Sequence, residues 1–333
     1  MMVMHSDHNI TSINTTSCES LYSGKKYLND YHIFILIIIN ISAMGLNLVA
    51  NAAVIYTLFK RKLLKKLSMK LILYLSTCDL FIAIFTQPLF IVMLARFSAY
   101  DNCVFDMVAQ FTIVATKHMS AYIIGLIAYD RYCKMKYLNR YTEIVRKAKL
   151  HGAVFIVALL SMVQATLYTI GTHYGRFHMA YFICGAMDSC LFLFVFAVYI
   201  LTILVVKKHR SLSINKERLI NVDRIITAMA SRILLAGVLC YIPYIVMASL
   251  RSTIIDNSVG ERRSNVTFLL FLAYDLIFLN SSINAMIFLT LQKGYRKNVV
   301  IKGHGERQSN VHVTFYASEK LMLGKPSSLP LKQ

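Results

Sequence analysis

Residues 105–132 read FDMVAQFTIVATKHMSAYIIGLIAYDRY. The apolar run over 105–129 exceeds the ~20 residues that carry a helix across a bilayer at about 1.5 Å per residue. It stops on the triplet Asp130-Arg131-Tyr132. Inside it stand Lys117, His118 and Ser120, and polar side chains within a membrane segment are costly enough to mark function. Working outward, six further apolar stretches lie at 33–59, 67–94, 152–171, 181–206, 225–250 and 266–291. Each matches or exceeds spanning length. The expectation is an all-α membrane protein, a bundle of seven transmembrane helices.

Composition agrees. Of 333 residues, 57% are hydrophobic and 16% charged, against about 25% charged in soluble domains. Mean hydropathy is +0.55. Lys and Arg number 36 against 16 Asp and Glu, a net charge of +20, which in a soluble chain would point to nucleic acid. Here the charge falls in short clusters between the apolar runs. That pattern makes the lipid bilayer the partner and argues against a nucleic-acid binder, a disordered chain or a disulfide-rich module. The seven cysteines, at 18, 78, 103, 133, 184, 190 and 240, include no Cys-x-x-Cys pair, so a zinc or thioredoxin-type site is not expected. Pro88 and Pro243 fall inside apolar runs, where neighbouring helices can satisfy the freed carbonyls.

Orientation follows from the basic residues. The loops at 60–70, 131–149 and 207–224 and the tail over 293–333 hold 27 Lys and Arg, while the N-terminus and the loops near 100, 175 and 258 hold 7. The positive-inside tendency puts the N-terminus outside and the C-terminus in the cytoplasm. Three Asn-x-Ser/Thr acceptors, Asn9, Asn14 and Asn265, then lie outside. Asn40 and Asn280 match the same pattern within helices and are set aside. The expected layout is an extracellular glycosylated N-terminus over 1–30, a seven-helix domain over 31–292, a short amphipathic juxtamembrane helix over 293–300 and a disordered cytoplasmic tail over 301–333. The first 30 residues contain no signal-peptide core.

The polar residues within the apolar runs form a series: Asn51 in helix 1, Asp79 in helix 2, Lys117, His118 and Ser120 in helix 3, and Asp275, Asn280, Ser281 and Asn284 in helix 7. With the motifs around them the chain resembles the rhodopsin-like (class A) G-protein-coupled receptors, as a divergent member, over nearly all of 31–300. Helix 1 has Asn51-Ala52-Ala53-Val54 and helix 2 has Leu75-Ser76-Thr77-Cys78-Asp79. Helix 3 ends in the family's Asp-Arg-Tyr unaltered. Helix 6 has Cys240-Tyr241-Ile242-Pro243, with Tyr for the family's Trp, and helix 7 has Asn280-Ser281-Ser282-Ile283-Asn284-Ala285-Met286-Ile287-Phe288, with Ala for Pro and Phe for Tyr. Each motif alone is weak, but five in order on the right helices are specific. The chain departs in having no Trp at all, and no Pro in helix 5.

The resemblance implies a plasma-membrane receptor, not an enzyme, that binds an extracellular ligand and activates heterotrimeric G proteins. It makes Arg131 a switch, held by Asp130 beside Tyr132, rather than an interfacial anchor that snorkels to phosphates. Asp223 lies 20 residues before Pro243, about 30 Å along a helix, so it is a second candidate partner for Arg131. Tyr199 stands where the family carries a Tyr at the inner end of helix 5. Asn51, Asp79, Ser120, Asn280, Ser281 and Asn284 are either a water-filled polar network or, by resemblance, a sodium pocket, with the metal at Asp79 and Ser120; no other cofactor is expected. Ile113, Lys117, His118, Tyr241, Tyr244, Tyr274 and Phe278 would face the ligand cavity, although aromatics at helical spacing also serve packing. Lys117 is either an internal partner of Asp275 or Asp188, or the counter-ion of an acidic ligand. Ile113 stands where amine receptors carry Asp, which argues against a typical biogenic amine, and the absence of Lys over 266–291 argues against retinal. The family's outer disulfide would join Cys103 to Cys184 or Cys190; Cys184 sits nearer the outside, which is oxidising.

Two other readings stand beside this one. A seven-helix transporter or proton pump would want a chain of acids through several helices and usually internal repeats; no repeat is visible, and the Asp-Arg-Tyr triplet would go unexplained. A receptor-like binding protein that signals poorly is kept open by Ala285 and Phe288.

Overall fold

In hydrocarbon each backbone N–H and C=O must find its partner within its own segment or a closed barrel. The computed structural model takes the helical course throughout its described residues, 28–65, 67–95, 103–137, 140–145, 147–174, 177–212, 232, 235–247 and 261–305. In chain order the helices are α1 (Asp30–Lys60), α2 (Leu67–Phe81), α3 (Gln87–Ala95), α4 (Cys103–Tyr137), α5 (Tyr141–Ile144), α6 (Lys147–His173), α7 (Phe177–Leu212), α8 (Leu235–Met247) and α9 (Glu261–Gly305). Among the described residues, six segments are long and apolar enough to cross a membrane: Asp30–Lys60, Leu67–Ala95, Val104–Tyr137, Lys149–His173, Ile183–Val205 and Ser264–Thr290. The expected crossing over 225–250 is described as a helix over Leu235–Met247, a shorter apolar piece.

α2 and α3 are one rod with a wider turn between them. Over Ile82–Thr86 the backbone takes π-helical form, and the Gln87 N–H reaches back to the Ile82 carbonyl. The physical cause is Pro88, which has no N–H to offer the turn before it. A π turn absorbs that vacancy by adding one residue.

The bundle is sorted as lipid requires. Apolar side chains such as Val49, Phe155 and Phe196 face outward, while Asn40, Asn47, Asp79, Gln87 and Gln164 are buried. The packed interior draws Leu36 from α1, Phe90 from α3, Ile113 from α4, Tyr168 from α6, Tyr244 from α8 and Phe271 from α9. At Gly125 of α4 an added Cβ would come within 3.3 Å of Leu191 Cδ1 on α7. The bare backbone lets those two helices approach closely, a recurrent device where lipid supplies no hydrophobic drive between helices.

Two expectations need correction. No helical break sets off residues 293–300, because α9 runs from Glu261 to Gly305. No Pro occurs anywhere in 261–305 to interrupt the helical hydrogen bonds. For the same reason 301–305 are helical rather than disordered; the rest of the expected tail lies outside the described residues. By compactness the chain divides into Met1–Leu289, which holds the bundle, and Thr290–Gln333.

Candidate functional site

The carboxylate of Asp130 is the best-satisfied acid of the expected switch. Ser68 Oγ, at the start of α2, donates to its Oδ2 at 2.8 Å. Tyr141, on the short α5 that follows α4, donates its hydroxyl to Oδ1. Arg131 Nη2 lies 3.3 Å from Oδ2, and both side chains are buried. Neighbours from α2 and α5 therefore hold the acid that holds the arginine. The phenol of Tyr141 lies outside the membrane segments, and burial and then the adjacent Asp130 charge hold its pKa well above the ordinary tyrosine value. Tyr132 is half-buried with the Lys136 ammonium 5.3 Å from its ring centre. Tyr199 is half-buried on α7. Asp223 lies outside the described residues.

Higher in the bundle, Asn40, Asn47 and Asn51 recur along α1 on one buried face. Asn47 Nδ2 donates to the Asp79 carbonyl at 3.1 Å and to Gln87 Oε1 at 3.3 Å. Asn51 Nδ2 donates to Asn47 Oδ1 at 2.6 Å and to the Ser281 carbonyl at 3.3 Å. Ser120 Oγ donates to Asp79 Oδ1 at 3.0 Å, and Ser281 and Asn284 also face that carboxyl. Asp79 Oδ2, Asn280 Oδ1 and both amide atoms of Asn284 nevertheless make no well-aligned hydrogen bond among the described residues. All six residues expected in the polar network are thus buried, and Ser120, Ser281 and Asn284 stand around one carboxylate with oxygen to spare. That donor set fits a small hard cation, which prefers oxygen ligands around a carboxylate.

The third cluster gives Lys117 a partner inside the bundle. Its ammonium lies 3.2 Å from Asp188 Oδ2 on α7 and 4.1 Å from the centre of the Tyr244 ring on α8. His118 Nε2 lies 2.9 Å from the other oxygen of Asp188. His118 Nδ1 lies 2.7 Å from the Val114 carbonyl, an atom that only accepts, so Nδ1 carries a proton. Tyr241 OH donates to the Lys117 carbonyl at 3.1 Å. Asp188 of α7 is therefore the internal partner of Lys117 on α4, and Lys117 in turn meets α8 through Tyr244 and Tyr241. Asp275 is engaged elsewhere, accepting from Asn40 Nδ2 at 2.8 Å. Tyr244 and Tyr274 pack edge to face at 4.9 Å, Phe278 meets Phe90 at 5.4 Å, and Ile113 is buried.

The structure does not show the expected disulfide at Cys184. That cysteine is a free buried thiol, and Cys190 is free and exposed. The helix accounts for it: α7 begins at Phe177, three residues after the turn that ends α6. Both cysteines are therefore helical residues, within the apolar run over 181–206 as the sequence placed them. The Cys103 side chain, with Asn9 and Asn14, lies outside the described residues. Asn265 is exposed in the second turn of α9.

Five motifs in order now sit on a helical membrane bundle, with their polar side chains turned inward. A family model for the 7 transmembrane receptor (rhodopsin family) matches residues 50–288. The chain belongs to that family. It is a multi-pass membrane protein of receptor type and not an enzyme. No curated protein sequence matches it. Sequence reading had missed several residues of this receptor's interior. Asn47 and Gln87 were findable as polar residues in apolar runs. Asn40 had been met only as a sequon and set aside. Ser68 and Tyr141 carried no sequence signal, since each stands at the edge of a basic loop.

Proposed function

We propose that this receptor sits in the plasma membrane with its N-terminus outside, its C-terminus in the cytoplasm and a seventh crossing that includes Leu235–Met247. Its extracellular ligand shifts a two-state packing of helices, and heterotrimeric G protein meets the state in which Arg131 is free. Asn9, Asn14 and Asn265 are its glycan acceptors. The observation that carries the reading is the Asp130 cluster. Ser68 and Tyr141 anchor the acid beside Arg131, so the arginine is held where α2, α4 and α5 meet. A transducer that offers Arg131 better partners biases the receptor away from that packing. Asp223 is a further partner for Arg131 in the resting state, and Tyr199 is a contact on the active side.

The ligand cavity is bounded by Ile113, Lys117, His118, Tyr241, Tyr244, Tyr274 and Phe278. The Lys117–Asp188 contact at 3.2 Å argues against a ligand that uses Lys117 as its sole counter-ion. Ile113 argues against a typical biogenic amine, and a helix 7 without Lys argues against retinal. Asp79, Ser120, Asn280, Ser281 and Asn284 would hold a sodium ion, with Asn51 behind them. Sodium bound there supplies one positive charge against the Asp79 carboxylate.

Guanine-nucleotide exchange on purified heterotrimeric G protein, with the receptor in lipid nanodiscs, tests the reading. The unaltered receptor should accelerate exchange, and Arg131→Ala should abolish the acceleration while surface expression persists. Absence of exchange across the G-protein classes, with well-folded receptor, would leave a binding protein that does not signal.

A further inference from the structure

Most of the buried carboxylates described above have a clear neighbour. Asp130 has Arg131, Ser68 and Tyr141, Asp188 has Lys117 and His118, and Asp79 has Ser120 and the polar network. Asp275 differs. It is 2% exposed, and its Oδ1 accepts from a neutral amide, Asn40 Nδ2, at 2.8 Å. Its Oδ2 has no hydrogen-bond partner among the described residues, and neither does the Oδ1 of Asn40, which is 0% exposed. No described cation pairs with the acid. Two adjacent side chains thus each hold out a buried oxygen that can only accept.

A carboxylate removed from water without a counter-charge is among the costliest features a membrane interior can hold. The bond that joins the pair does not remove the need; it turns both spare oxygens into a preset couple. Among the described residues nothing beyond Asn40 donates to the carboxyl. Phe271 and Phe278 stand four residues before and three after Asp275, on the same side of α9. Phe90 of α3 closes over this stretch, with ring centres 6.0 Å from Phe271, 6.2 Å from Tyr274 and 5.4 Å from Phe278. Aromatic faces attract a cation and offer nothing to an anion.

We infer that Asp275 and Asn40 form a cation subsite between α1, α3 and α9, which takes a small monovalent cation: either an inorganic ion or the ammonium group of a ligand. The subsite is separate from Lys117–Asp188 and from the polar network at Asp79. Its ammonium form rests on the proposal that this receptor binds an extracellular ligand. It places the positive group of such a ligand against α1 and α9, at Asp275 and Asn40.

The test uses the full-length receptor in nanodiscs and two probes, sodium chloride and n-butylammonium chloride, with N-methylglucamine chloride as the bulky-cation control at equal ionic strength. The readout is the thermal midpoint as a function of probe concentration. In an Asp79→Asn background, sodium should still raise the midpoint if the occupant is an inorganic ion, and adding Asp275→Asn should remove that rise. If the occupant is an ammonium group, n-butylammonium should stabilise the unaltered receptor, and Asp275→Asn should need roughly tenfold to a hundredfold more of it, the range expected for a lost charge-assisted bond. The proposal is overturned if neither probe moves the midpoint beyond the control. It is equally overturned if infrared spectra at saturating probe show a protonated carboxyl that Asp275→Asn lacks, for then a proton holds the site. Where Asp275→Asn does not fold, Asn40→Ala takes its place; it should weaken either cation several-fold, and an unchanged response overturns the proposal. Nucleotide exchange plays no part in this measurement, so a receptor that fails to signal can still pass it, and one that signals can fail it.

Discussion

Removing the charge of Asp188 should destabilise the bundle more than removing that of Lys117. Asp188→Asn strips the carboxylate from between Lys117 Nζ at 3.2 Å and His118 Nε2 at 2.9 Å. The ammonium keeps the Tyr244 ring at 4.1 Å, but that contact is already made in the unaltered receptor and gains nothing new. Breaking a buried ion pair by removing one partner typically costs ~3–5 kcal/mol. Lys117→Met leaves the acid with His118, so its cost should fall nearer the ~1–3 kcal/mol of an impaired hydrogen bond. The pair Lys117→Met with Asp188→Leu removes both charges and fills similar volume, and should recover much of the loss. The interaction energy of that double-mutant cycle, from denaturation in mixed micelles, should then reach about 2 kcal/mol or more. Side-chain hydrogen bonds inside membranes average only ~0.6 kcal/mol. An interaction energy at or below that average would mean that Lys117 and Asp188 do not meet as ions.

Tyr141→Phe should raise basal nucleotide exchange about tenfold or more, since it removes a donor worth ~1.5–3 kcal/mol to a charged acceptor; unchanged basal exchange would assign Asp130 to Ser68 alone. The same phenol has a pH signature. Its pKa is raised in the folded receptor, so its contribution is whole below the free phenol value of about 10 and is lost as pH rises above that; Tyr141→Phe should flatten the alkaline fall in stability. Asp79→Asn should abolish whatever dependence of agonist affinity on sodium survives Asp275→Asn, and an unaltered receptor insensitive to sodium would leave the network to water. Thiol labelling after unfolding, without reductant, should find Cys184 free; recovery of a Cys184 disulfide peptide would restore the expected outer bridge.

Periodicity carried most of the fold. Apolar runs of spanning length could be read because lipid removes the alternatives to a helix, and the five motifs ordered the helices. The interior was read less evenly. Asp79, Ser120, Asn51 and Asn284 declared themselves because a polar residue in an apolar run has one place to go. The partner of Lys117 could not be read, since Asp188 and Asp275 are both acids at plausible depth. The choice depends on how α7 and α9 are turned, which no run of residues states. The start of α7 was obscured for a related reason. Tyr181, Phe182 and Ile183 suggested where the apolar run begins, but the helix starts four residues earlier, at Phe177, so the connection from α6 is shorter than the run implied. Tyr141 was hidden because its reach to Asp130 depends on a four-residue helix within a basic loop.

The wide turn at Ile82–Thr86 has a consequence for any comparison between this receptor and its relatives. A π turn holds one residue more than an α turn, and one residue is about 100° of helix rotation. The inner half of the rod, with Asp79, and the outer half, with Phe90, therefore follow two different phase counts. A relative with no such turn and the same number of residues would show at its equivalent of Phe90 a side chain turned by that angle, away from α9. Matching residues one to one along this rod preserves sequence position but exchanges one wall of the cavity for another. Ligand contacts carried over from relatives beyond Thr86 should be shifted by one residue wherever the turn is absent and the residue number is the same, and a single deletion within 82–86, which removes the extra residue and closes the turn, should leave both Phe90 in its aromatic cluster and the surroundings of Asp79 in place.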